Sequence, residues 1–136
     1  MMEPTTPEAE IQAFLNGRTP AGGFDHREHV RLAHAIIVRH GFEGGLPLYI
    51  AGLRAVTRAA GVPEKFNLTV TVAFMALIAE RAAATPNLPW SDFAAAYPDL
   101  LSGDILKRWY DPTRLGSTLA RQTFLLPDPA NAPRVA

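Results

Sequence analysis

The stretch FDHREHVRLA, Phe24 to Ala33, sets two histidines three residues apart at the head of a helical hydrophobic pattern. At about 100° per residue, His26, His29, Val30, Ala33 and Ile37 fall on one face. Val30, Ala33 and Ile37 are apolar, so this face turns toward the core and takes both imidazoles with it. A polar ring in an apolar interior is costly unless something bonds to it. The pair therefore predicts a helical fold with a polar, histidine-bearing pocket, built from a side chain that titrates near neutral pH.

The rest of the chain reads as helices separated by Gly and Pro. Thr6-Pro7-Glu8 has the form of a helix entry, Ile11, Phe14 and Leu15 follow at helical spacing, and Gly17 ends the element. Asp25 reads as an N-cap with Glu28 as its capping-box partner, opening a helix that stops at Gly41. Phe42 to Ala60 forms a further pattern on Leu48, Ile50, Leu53 and Val56, broken by Gly61-Val62-Pro63. In the fourth pattern, Phe66 to Ala84, the β-branched run Leu68 to Val72 favours a strand by propensity. The helical spacing of Phe74, Leu77, Ile78 and Arg81 and the alanines beyond them decide for a helix. Ser91 is the expected cap of a short helix ending at Ala96, and two more short pieces follow, Ile105 to Tyr110 and Leu119 to Phe124. The expectation is an all-α, single-domain bundle over residues 1–136, with four main helices and short C-terminal ones. Residues 1–6 and 127–136 read as extended or frayed.

Composition narrows the function classes. Thirteen basic and thirteen acidic residues give a net charge of +0, which offers no electrostatic case for nucleic acid or an anionic membrane surface. Cysteine is absent, which excludes disulfides, thiolate nucleophiles and Cys-bound zinc or iron–sulfur centres. No run of about 18 apolar residues exists, and Met1 to Glu10 lacks the apolar stretch of a signal peptide. The expected location is cytoplasmic. Apolar surface around Ala82 to Ala84 suggests a homodimer.

On the fourth pattern Asn67, Val70, Thr71, Phe74 and Ile78 share a face, again apolar with polar residues at its N-terminal end. If that end meets the His26/His29 end of the earlier helix, Asn67 and Thr71 face the imidazoles and Phe74 closes a small-molecule pocket. Each residue also has a structural reading. Asn67 suits a helix cap, and Thr71 can bond the carbonyl four residues back. His34 and His40 read as surface residues. Arg108 and Tyr110, in the dense run Lys107 to Leu115, are candidates to clamp a carboxylate and donate a hydrogen bond to substrate. They can equally anchor the short C-terminal helices and face solvent. Two imidazoles fall short of the three protein ligands of a catalytic zinc, and no acid lies on the inward face of the fourth pattern. No cofactor is expected, with a divalent metal on His26 and His29 as the remaining alternative.

Three blocks together resemble a family of small helical bacterial proteins of mostly unassigned function. They are Phe24-x-His26-x-x-His29-x-x-Leu32-Ala33, Lys65-Phe66-Asn67-Leu68-Thr69-Val70-Thr71, and Leu106-Lys107-Arg108-Trp109-Tyr110-Asp111-Pro112-x-Arg114-Leu115 leading to Ala120-Arg121 and Pro127-Asp128. Many members carry a Tyr-His-Glu-Thr-like second block, and the resemblance there implies a metal on three histidines and a carboxylate. In this chain those His and Glu positions are Asn67 and Leu68.

The expected function is a small enzyme acting on a small organic molecule, with His26 and His29 as an acid–base pair for isomerisation, elimination or cyclisation. Hydrolysis fits less well, because no nucleophilic Ser or Cys accompanies the pair. The alternatives are a helical ligand- or partner-binding module with structural histidines, and a His-based metalloenzyme.

Overall fold

The computed structural model describes residues 6–19 and 23–129. Among them the chain is all-α and no strand occurs. Thr6 caps α1 (Pro7–Leu15), its hydroxyl accepting from the Ala9 N–H, with Pro at the first helical position. Asp25 caps α2 (His26–Ala59) by accepting from Glu28 N. The reciprocal half of the capping box is not made. Glu28 instead pairs with Arg31, which also grips Glu10 of α1 through two bonds of 3.0 and 2.9 Å.

The length of α2 conceals two rods. Gly41 sits at φ 72°, ψ 178°, outside helical space, and breaks the element where the sequence placed its stop. The second rod starts directly after it. Gly44, Gly45 and Pro47 lie in its first two turns, and the helix runs on through the proline. A 3₁₀ turn, Pro63–Lys65, leads to α3 (Leu68–Ala84), capped by Asn67. The β-branched run is therefore helical, its Thr69 and Thr71 buried in the core.

The C-terminal third is a series of short pieces: α4 (Trp90–Ala96), 3₁₀ turns Pro98–Leu101 and Ile105–Arg108, α5 (Pro112–Leu115) and α6 (Thr118–Gln122). The N-cap of α4 is Pro89 and not Ser91, which lies inside the first turn. Residues 127–129 carry no helix and are held by hydrogen bonds at Asp128. Asp128 donates its N–H to the Trp109 carbonyl, accepts from Asp111 N, and pairs with Arg114 at 2.7 Å. Residues 1–5 and 130–136 of the expected frayed ends lie outside the described residues.

The two rods of α2 and α3 enclose the core, with α1 laid across α2 through Phe14 and Ile11. Phe14 packs against Gly52, where a β-carbon would overlap the edge of its ring. On the other flank α4 brings Trp90 and Phe93 onto His34. His34 is therefore buried, contrary to its surface reading. The first rod of α2 is covered on more than one side, so its apolar stripe is wider than a single pattern suggests. No helix among the described residues is long and apolar enough to cross a membrane.

Candidate functional site

A cavity of about 310 Å³ opens between the two rods of α2 and the N-terminal half of α3. Its walls are mostly apolar, including Val30, Leu53, Phe66, Val70, Phe74, Met75 and Ile78. Five predicted site residues meet there: His26, His29, Asn67, Thr71 and Phe74. Arg108 and Tyr110 do not. Arg108 extends toward Asp99 at 3.3 Å, and Tyr110 is buried elsewhere with its hydroxyl donating to the Leu125 carbonyl. Both serve the packing of the C-terminal third.

The polar side chains at the cavity are largely committed to backbone. Asn67 Oδ1 accepts from Val70 N, and its Nδ2 donates to the Leu115 carbonyl at 2.8 Å, so one residue caps α3 and ties down α5. Thr71 Oγ1 donates to the Asn67 carbonyl at 2.7 Å. Thr57 bonds back to its own helix in the same way. Tyr49 donates its hydroxyl to the His29 carbonyl at 3.0 Å, and burial pushes its phenol far above the ordinary range. That bond pins the second rod of α2 to the first at the histidine turn.

The two histidines differ in kind. His26 Nε2 lies 2.9 Å from the Leu100 carbonyl. A carbonyl only accepts, so Nε2 carries the proton and the neutral ring keeps its lone pair on Nδ1. The ring edge meets Phe74 at a centroid distance of 5.1 Å. His29 stands against Phe24, ring centroids 4.0 Å apart, and its ring nitrogens make no hydrogen bond among the described residues. No fully buried side-chain nitrogen or oxygen among the described residues is unpaired, so those nitrogens open onto the cavity or its mouth. Burial lowers the His29 pKa to about 4, with the nearby His26 adding to the effect and Asp25 opposing it. At neutral pH the ring is an uncharged imidazole, at once donor and acceptor.

Among the described residues no three His, Asp or Glu side chains gather. Asn67, where the resemblance implies a third histidine, has its amide committed to two backbone groups, and Leu68 offers no ligand atom.

Sequence reasoning missed Tyr49, Lys65 and the Leu100 carbonyl. Tyr49 shares the helical spacing of Leu53 and Val56, so periodicity carried a signal for it. A backbone carbonyl brought in from 74 residues away carried none.

No family model, curated protein or solved structure matches this chain.

Proposed function

We propose that the cavity binds a small, mainly apolar molecule and carries out metal-independent acid–base chemistry on it, with His26 and His29 as the working pair. The observation that carries this reading is the contrast between the two rings. One has its tautomer fixed by a backbone carbonyl. The other is held neutral by burial, with no hydrogen bond on either nitrogen among the described residues. In an isomerisation next to a carbonyl group, Nδ1 of His26 takes a proton from carbon. The electron pair moves onto the carbonyl oxygen, and the N–H of neutral His29 donates to that oxygen as its charge grows. The proton returns to a different carbon. A neutral imidazole suits the donor role because it need not lose charge when product leaves. The apolar walls exclude water and strengthen both interactions.

The second reading is a binding module without turnover. It is favoured by the commitment of Asn67 and Thr71 to backbone bonds, which leaves few groups to orient a substrate. Proton NMR of simple cyclic ketones in D₂O separates the two. Cyclohexanone seated in the cavity should exchange its α-protons faster than in buffer, and His26→Gln and His29→Gln should each remove the acceleration. A ketone that shifts the His29 ring signals but exchanges at the buffer rate would leave the binding module.

A further inference from the structure

Lys65 ends the 3₁₀ turn before α3 and lines the cavity while remaining an exposed residue. Its neighbour Phe66 turns inward and is 7% exposed, which places the lysine stem at the edge of the apolar wall. No acidic side chain lines the cavity, and no ion pair engages Lys65 among the described residues. The guanidinium of Arg54 lies over the Phe66 ring at 4.3 Å and stays outside the lining. The cavity thus combines apolar walls, neutral imidazole and a single ammonium with no counter-charge.

From this combination we infer that the ligand class is a hydrophobic monocarboxylate, its apolar body in the cavity and its carboxylate on Lys65. The inference rests on the small-molecule site proposed above and narrows its substrate class. One ammonium balances one negative charge, so a monoanion fits and a phosphate dianion would be left half compensated. Size follows from volume. An apolar cavity of about 150 Å³ holds benzene, so roughly twice that space takes a body of about a dozen non-hydrogen atoms.

The test pairs 3-phenylpropanoate with its uncharged isostere 3-phenylpropanamide, titrated at low ionic strength into the wild-type protein, Lys65→Gln and Lys65→Arg. Binding is read by calorimetry and by the ring signals of His29. The expected result is about fivefold tighter binding of the carboxylate, the scale of a partly exposed ion pair. Lys65→Gln should abolish that preference without weakening the amide, and Lys65→Arg should retain it. Equal affinities in the wild type, with both compounds moving the His29 signals, would overturn the inference and leave the site standing. So would a Lys65→Gln protein that loses affinity for both compounds alike. If neither compound perturbs His29 or binds, the small-molecule reading falls and the inference with it.

Discussion

Replacing His29 by glutamine should change how stability depends on pH more than it changes stability itself. In the folded protein His29 has a pKa of about 4, against an ordinary value of 6.5. The depressed value means that the unfolded chain binds a proton that the folded chain refuses. Above pH 6.5 both states are neutral and the term is silent. As the pH falls from 6.5 toward 4 the unfolded state is progressively favoured, and below about 4 the loss levels off because the folded ring protonates too. At about 1.4 kcal/mol per pKa unit the interval corresponds to a loss of roughly 3.5 kcal/mol. The ring opens partly onto the cavity, where solvent screening reduces this to between about 1.5 and 3 kcal/mol. Urea titrations of wild type and His29→Gln at pH 7.5, 6.5, 5.5 and 4.5 measure it. Burial lowers the His34 pKa as well, so both proteins lose stability in acid, and the difference between the curves isolates His29. That difference should shift in favour of the variant by about 1.5 kcal/mol or more over this range. Parallel curves would mean that His29 is solvated, and the argument for a neutral imidazole in the site would collapse.

Gly52→Ala normally gains about 0.5–1 kcal/mol inside a helix; here the added carbon meets the Phe14 ring and should cost about 1–3 kcal/mol. A melting temperature that rises would contradict that packing. Thr69 is fully buried, donates to the Thr123 carbonyl at 2.7 Å and accepts from Leu125 N at 3.1 Å. Thr69→Val strands both backbone groups and should lower stability by about 2–3 kcal/mol in denaturant titrations, whereas Thr69→Ser should recover most of it. Equal losses for Val and Ser would assign the effect to packing. The Arg81 guanidinium holds the Asp99 carboxyl below its ordinary pKa through paired bonds of 2.9 and 3.0 Å. Carbon-detected NMR should find Asp99 titrating at higher pH in Arg81→Gln, and an unchanged titration would transfer the effect to Arg108.

How much of this was legible differed between the frame and the site. The helices followed from period and punctuation, and Gly41 was readable as a break because its positive φ is a property of one residue. The meeting of His26 and His29 with Asn67, Thr71 and Phe74 was legible too, since each set lies at the N-terminal end of an inward face. The polar commitments were not. Whether Asn67 caps, binds, or does both depends on the Leu115 carbonyl, 48 residues away. His34 was misread because one helical wheel cannot show a second layer, and α4 supplies that layer with Trp90 and Phe93. Arg108 and Tyr110 were drawn toward the site by composition, yet their partners belong to the C-terminal third.

The pattern of satisfied groups bears on why the cavity persists. A void in a core of this size forfeits dispersion contacts and would ordinarily be filled. Here its walls are braced by bonds that cross between elements. Tyr49 ties the rods of α2 together, His26 reaches Leu100, and Asn67 reaches Leu115. Tyr49 and Asn67 direct their polar atoms into backbone, whereas His26 commits only its Nε2. His29 is buried enough to lose its charge and makes no side-chain hydrogen bond among the described residues. A core selected for stability alone would carry leucine at that position, which fills similar volume without the desolvation cost. The fold thus retains at the cavity a titratable ring that burial keeps uncharged, and a group of that kind concentrates where chemistry or recognition needs it.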